Sequence, residues 1–233
     1  MGFMHVNKST LEKCVWLNQQ LIKNNLVKLT WGNASIRKDD LIFIKPSGIK
    51  FEELSNNDIS VVDMAGNIIQ GKKPSVDLEI HLQVYRNFNW VYSVIHTHST
   101  YATSWAQSNQ EIPILGTTHA DYYKRNIPVC DELLKEELEN YEFNLGKKIV
   151  DYFLNKKIDP KHVRSILLPF HGTLSFSETP EHVLECAIVL EEIAKLALYS
   201  RQINGIIEPP NNVLNLFDKH FERKNGIKKY YGQ

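Results

Sequence analysis

Cysteine is scarce in this chain of 233 residues. Cys14, Cys130 and Cys186 are odd in number, far apart and without a CxxC pair. Neither a disulfide framework nor a thiolate zinc site is expected, and a reducing compartment fits best. Net charge is missing too. The 27 Lys and Arg balance 27 Asp and Glu, which removes any global electrostatic argument for a nucleic-acid or membrane partner. No apolar run is long enough to span a bilayer, and the polar N-terminal stretch lacks the apolar core of a signal peptide. The expected location is cytoplasmic. Repeats, low-complexity tracts and linker-like segments are absent as well. What remains, with 42% hydrophobic and 23% charged residues, has the makeup of an ordinary globular chain, long enough for one α/β domain.

The local patterns fill in that domain. Ser9 and Glu12 read as a capping box ahead of Leu11, Val15, Leu21 and Ile22 at roughly helical spacing. Leu41 to Ile44 reads as a strand ending in the turn Lys45-Pro46-Ser47-Gly48. Ile59 to Val62 and Ile68-Ile69 flank a hairpin turn at Ala65-Gly66-Asn67. Pro74-Ser75 is expected to open a helix carrying Asp77, Leu82 and Tyr85. Val91 to Thr97 and Ile166 to Leu168 are further strands. Tyr101 to Ala106, Glu136 to Leu154, a long stretch after Pro180 and the segment from Asn211 are helical. Strands and helices alternate irregularly, which suggests a sheet covered by helices.

The sharpest chemical feature is Val94-Ile95-His96-Thr97-His98-Ser99. Side chains two apart on a strand share a face, so the two imidazoles project together. Such a pair suits a first-row divalent cation, zinc above all; two polar residues on a solvated strand face would look the same. His171, between a strand and Gly172, sits where a turn can aim it into the same site, giving the three-histidine set of an open catalytic metal centre. Asp77, at a helix start, is a candidate fourth ligand, although the helix dipole alone accounts for a carboxylate there. Anion-binding positions form a second group. Ser47-Gly48 lies in a tight turn whose N–H groups can converge on an anion, Ser75 at a helix start, and Asn33 and Lys45 can add donors.

Read in order, LTWGNAS, IKPSG, KKPSVD, IHTHS, GTTHADYY, the His171-Gly172 pair, IVLEEIA and DKHFERKNGIKKYYGQ resemble the class II aldolase family, and within it the L-ribulose-5-phosphate 4-epimerases. These stretches run from about residue 26 to the end. The resemblance implies a single-domain α/β fold with a central, mainly antiparallel sheet flanked by helices, spanning residues 1–233. It also implies a homotetramer with sites at subunit interfaces, each completed by a C-terminal segment of about residues 211–233 from a neighbouring subunit. By the same resemblance the Zn2+ ligands fall on His96, His98 and His171, with Asp77 nearby. The phosphate positions fall on Ser47, Gly48 and Ser75, with Asn33 and Lys45 in the same pocket. Acid/base roles fall on Asp121 and Tyr231, the latter from a neighbouring subunit. His220 and Arg223 match other residues brought across that interface, and Thr117 a further pocket residue. One departure concerns Val76, which stands where the family usually has a second serine. A hydroxyl donor to phosphate is thereby lost, worth roughly 1.5–3 kcal/mol if it was a charge-assisted hydrogen bond.

The implied reaction interconverts L-ribulose 5-phosphate and D-xylulose 5-phosphate through retro-aldol and aldol steps across C3–C4, with an enediolate stabilised by the metal. A class II aldolase acting on a deoxyketose 1-phosphate such as L-fuculose 1-phosphate is the alternative within the fold. Related aldolases tend to carry Glu in place of Asp77 and differ from KKYYGQ at the C-terminus. A non-catalytic domain like the adducin head is a third reading, but such domains have lost the metal histidines, and this chain retains them.

Overall fold

The computed structural model of the protein describes residues 6–205, 209, 211–227 and 229–231. Lys228, Gly232 and Gln233 of the expected C-terminal segment lie outside the described residues, as do Met1 to His5. The first helix, α1 (Lys8–Lys23), buries Leu11, Cys14, Leu17 and Leu21, one stripe of an α-helix. Its cap sits two residues earlier than the sequence suggests. Asn7 Oδ1 accepts the Ser9 N–H at 2.9 Å and the Ser9 hydroxyl at 2.8 Å, while Glu12 faces Lys8 at 3.9 Å instead of closing a capping box. Asparagine caps as well as serine does, so the earlier residue takes the role.

Seven strands form one sheet: β1 (Asn33–Lys38), β2 (Leu41–Ile44), β3 (Ser60–Asp63), β4 (Ile68–Gln70), β5 (Ser93–Thr97), β6 (Ser165–Leu168) and β7 (Gly172–Ser177). Their spatial order is β4-β3-β2-β1-β5-β7-β6, and all six pairings are antiparallel. This is the sheet that the family resemblance implied. β1 and β7 escape the sequence reading because they look polar: β1 is NASIRK and β7 is GTLSFS. Both are nevertheless central strands. Their buried hydroxyls find partners, on β7 across strands, Ser175 with Ser165 at 2.8 Å and Thr173 with Thr97 at 2.9 Å, and on β1 Ser35 with His81 Nδ1 at 2.7 Å and the Tyr85 hydroxyl at 2.8 Å, which removes the cost of burying them.

Helices cover both faces. α2 (Leu78–Asn87), α3 (Thr100–Gln107) and α5 (Tyr141–Asn155) pack over Ile42, Val62 and Val94, whereas α1 packs over Phe43, Val61 and Ile95. Adjacent residues of one strand thus alternate between two cores, as the pleat requires. α6 (Pro180–Asn204) contributes to both. The short α4 (Thr117–Ala120) packs against α7 (Asn211–Asn225); four residues carry no helical periodicity, so α4 is not legible in the sequence. No helix among the described residues is long and apolar enough to cross a membrane.

Two expected boundaries shift. The helix expected from Pro74-Ser75 begins at Leu78, with Asp77 at its N-cap. Pro74 instead bridges to Pro46, and Ser75 donates its N–H to the Lys45 carbonyl at 3.1 Å. This strand-like pairing holds the segment extended and delays the helix. The helix expected from Glu136 is divided, with a 3-10 stretch over Lys135–Asn140 and α5 starting at Tyr141.

α1 is bound to β1 by one buried amide. Asn18 Oδ1 accepts the Ala34 N–H at 2.8 Å, and its Nδ2 donates to the Ala34 carbonyl at 3.1 Å and the Cys14 carbonyl at 2.9 Å. Asn18→Leu leaves the Ala34 N–H without its partner in the core, so unfolding in denaturant should show a loss of about 1–3 kcal/mol. An unchanged midpoint would remove Asn18 from the elements that hold β1 in place.

Candidate metal centre and active site

Strand order assembles the site. β5 lies between β1 and β7, and the register sets Asn33 opposite His96 on one side and Leu174 opposite His96 on the other. By alternation His96 shares a face with Val94, the side covered by α2 and α5. His98 follows the end of β5, and His171 ends the turn between β6 and β7. A Cβ on Gly172 would lie 2.6 Å from the Thr97 carbonyl oxygen and 3.2 Å from His96 Cε1. Only glycine lets that turn press so closely on β5.

The three rings converge. Their centroids are 4.9, 4.8 and 4.9 Å apart, a nearly equilateral triangle. One ligating atom from each lies within 4.8 Å of the others. His96 is buried and His98 and His171 are half-buried, so the alternative of a solvated strand face is excluded. His96 Nδ1 stands 2.9 Å from the Thr173 carbonyl oxygen, which can only accept; Nδ1 therefore carries the hydrogen and Nε2 is bare. That Nε2 lies 3.0 Å from His98 Nε2. Two bare nitrogens repel at such a distance unless a hydrogen or a cation sits between them. His171 Nδ1 pairs with the Tyr141 hydroxyl at 2.9 Å, which leaves its Nε2 for the cluster. Burial lowers the pKa of all three, to about 4 for His171 with His96 adding to the effect. Neutral imidazole is the form that ligates. The cluster is thus able to coordinate a divalent metal while leaving positions open.

Asp77 stands beside this trio rather than within it. Its Oδ2 accepts from Asn33 Nδ2 at 2.7 Å and lies 3.3 Å from Ser75 Oγ. Burial opposes its ionisation, but His96, His81 and the Asn33 bond outweigh it and hold the carboxyl below its usual range. The expected anion-binding residues adjoin it. Asn33 Nδ2 reaches Ser75 Oγ at 3.0 Å. Lys45 is buried, with Nζ 4.7 Å from the centre of the Phe51 ring and 3.3 Å from the Pro46 carbonyl oxygen; desolvation lowers its pKa to about 8. The backbone amides are less free than the turn suggests. Ser47 donates its N–H to Lys73 at 3.3 Å, and that of Ser75 is held by Lys45. Gly48 has φ +74° and open space where a Cβ would lie, and Val76 is exposed.

Asp121, which follows α4, belongs to a separate group. Both its oxygens accept from Arg223, each at 3.0 Å, and Oδ1 also pairs with His220 Nδ1 at 3.0 Å. The Arg223 guanidinium lies 4.3 Å from the Tyr231 ring centre, and Tyr231 is exposed. Thr117 opens α4 and accepts the Asp121 N–H at 2.9 Å. A cleft of about 490 Å³ opens beside His98 and His171, lined also by Gln107, Asp131, Glu132 and Tyr141. None of the Asp121 group lines it.

The model of the Class II Aldolase and Adducin N-terminal domain family matches residues 12–198. The chain belongs to this family. L-ribulose-5-phosphate 4-epimerase UlaF of Salmonella paratyphi B is 40% identical over 220 residues, 93% of this chain and 95% of the relative. The UlaF of Salmonella paratyphi C is similar to the same extent. Among solved structures, an L-fuculose 1-phosphate aldolase has a TM-score of 0.78 at 24% identity, covering 95% of this chain and 100% of that one. The L-fuculose-1-phosphate aldolase of Thermus thermophilus has a TM-score of 0.65 at 22% identity, covering 87% and 100%. At these identities the two structures share a fold with this class II aldolase family member and show no more than that.

Tyr141 and the Thr173 carbonyl are the parts of the site that the sequence reading missed. A carbonyl carries no side-chain signal, and Tyr141 lies 30 residues from its partner. His96→Asn should abolish most divalent-metal binding, read as metal per subunit by elemental analysis, with the fold intact by circular dichroism. A folded, fully loaded variant would remove His96 from the ligand set.

Proposed function

We propose that this protein is a zinc-dependent L-ribulose-5-phosphate 4-epimerase, producing D-xylulose 5-phosphate by reversible C3–C4 cleavage. The observation that carries this reading is the trio of neutral, converging imidazoles in a chain 40% identical to UlaF over nearly its whole length.

The C4 hydrogen of a 2-ketopentose is not adjacent to the carbonyl and is not acidic, so simple deprotonation does not invert that centre. Cleaving C3–C4 does, because the aldehyde fragment can present its other face before the bond re-forms. A zinc ion on His96, His98 and His171 would supply the Lewis acid for the negative charge left on the three-carbon fragment. Asp77 adjoins the trio as a further ligand or as the group that orders it. Asn33, Lys45, Ser47, Gly48 and Ser75 receive the phosphate, with Lys45 as the cation and Val76 supplying no hydroxyl. Asp121 and Tyr231 exchange the proton of the C4 oxygen, one for each face; such groups typically contribute about 10²–10⁴-fold each.

Arg223 links Asp121 with Tyr231, and none of this group lines the cleft at the histidines of its own chain. That separation supports a homotetramer in which Asp121, His220, Arg223 and Tyr231 arrive together from a neighbouring subunit, with Thr117 at the start of the same short helix. The sequence resemblance had brought Tyr231 across and left Asp121 unplaced; Arg223, hydrogen-bonded to Asp121 and lying over the Tyr231 ring, favours a single unit.

Purified protein incubated with L-ribulose 5-phosphate should yield D-xylulose 5-phosphate, and a chelator should stop it. Tyr231→Phe should retain its metal and lose turnover by roughly 10²-fold or more. Cleavage of L-fuculose 1-phosphate, with no action on the pentulose phosphate, would replace the epimerase reading by the aldolase one.

Lys45 gives the reaction a pH dependence of definite sign. Its lowered pKa of about 8 means that the cation is present below that pH and lost above it. KM for the phosphorylated substrate should therefore rise as pH passes 8, and Lys45→Met should raise KM at pH 7 and flatten the profile. A wild-type KM constant from pH 7 to 9 would take Lys45 out of phosphate binding.

A further inference from the structure

Tyr141, the first residue of α5, does two things at once. Its hydroxyl is 2.9 Å from His171 Nδ1, and its side chain forms part of the wall of the cleft beside His98 and His171. These facts constrain its hydrogen. A neutral His171 that ligates through Nε2 must carry its hydrogen on Nδ1 and donate it, so Tyr141 Oη is the acceptor. A phenol oxygen that accepts this bond still has its own hydrogen to give. Among the described residues Oη has no second hydrogen-bond partner, and the open direction from a half-buried residue on this wall is the cleft. The contrast with His96 is chemical. Its partner is the Thr173 carbonyl, which can orient a ring but has nothing to donate.

We propose that Tyr141 is the positioning residue for His171 and, through the same hydroxyl, donates a hydrogen bond to a carbonyl or hydroxyl oxygen of the substrate in the cleft. The two roles reinforce one another, because a hydroxyl that accepts a hydrogen bond is polarised into a better donor. The second role rests on the metal-dependent sugar-phosphate reading above; the first requires only that a metal binds.

Tyr141→Phe tests both, since it keeps the ring, whose centre lies 5.9 Å from that of His171, and removes only the oxygen. The metal-free variant should melt like the metal-free wild type. Its affinity for Co2+, measured by competition with a chromogenic chelator, should fall about 10-fold, and the visible spectrum of bound Co2+ should change. Tyr141→His, which restores a polar partner for Nδ1, should recover part of that affinity. With metal saturating, KM for L-ribulose 5-phosphate should rise several-fold in Tyr141→Phe while kcat changes less. Unaltered Co2+ affinity and spectrum would overturn the positioning role, and an unaltered KM at saturating metal would overturn the donor role. A wild-type protein inert toward the pentulose phosphate would overturn the epimerase reading and the donor role with it. The Co2+ measurements would then still decide the positioning role.

Discussion

A ring nitrogen facing a carbonyl oxygen has one option: it must hold the hydrogen. That is the situation of His96 Nδ1 against the Thr173 carbonyl, and much of the rest follows from it. The bond fixes the ring and the tautomer, and turns the bare Nε2 toward His98 and His171. It exists only because β7 lies beside β5 in a register that pairs Thr97 with Thr173. That register in turn needs a residue without a side chain at position 172, where a Cβ would collide with the Thr97 carbonyl. The His171-Gly172 pair is thus one device. The histidine completes the cluster, and the glycine allows the strand pairing that orients its neighbour.

The opposite flank of β5 sets the other half of the environment. Asn33 pairs in register with His96 and turns its amide to both Ser75 and Asp77. One side chain therefore ties the carboxylate beside the metal site to the hydroxyl expected to meet phosphate. The segment that carries Ser75 and Asp77 is held extended by the Ser75–Lys45 backbone bond before α2 begins. This leaves Asp77 at the N-cap position with its carboxylate turned to Asn33 and Ser75, not to the helix amides. Had the helix started at Ser75, the residues would be the same but their directions would not.

The sequence disclosed apolar elements and side-chain chemistry, and concealed what polar backbone does. Leu41 to Ile44 was legible because four apolar residues in a row have few other uses. β1 and β7, which flank β5, were not, because their buried Ser and Thr residues are stabilised by partners that no local pattern shows, Ser35 of β1 by His81 and Tyr85, and Thr173 and Ser175 of β7 by Thr97 and Ser165. His96 and His98 were visible as a pair on a strand face. What decides their state is the Thr173 carbonyl, which every residue type possesses. Backbone bonding at the expected anion site was concealed for a related reason: the Ser47 and Ser75 amides are engaged by strand-like bonds to the Lys73 and Lys45 carbonyls. In the proposed phosphate site, donation would fall more heavily on side chains than the turn alone implies, with Lys45, buried without an acidic partner among its described contacts, as the principal one.

The separation of the histidine cluster from the Asp121 group bears on the proposed reaction. The aldolases with the same fold differ from this chain at about three residues in four, so the fold alone does not distinguish cleaving a carbon–carbon bond from cleaving and re-forming it. Re-forming it on the opposite face needs proton exchange from two sides of the aldehyde, and the proposed donors, Asp121 and Tyr231, follow α4 and α7 and do not lie on the central strands. Both oxygens of Asp121 are already engaged as acceptors by Arg223 and His220. Three of the carboxylate's roughly four acceptor positions are thus taken, and the remaining one, on Oδ2, is where a substrate oxygen would meet Asp121 in the proposed proton transfer. Arg223 holds the carboxylate on one side and the Tyr231 ring on the other. On the proposed reading the outcome of the reaction is set less by the histidine cluster than by Asp121 and Tyr231, which Arg223 of α7 joins.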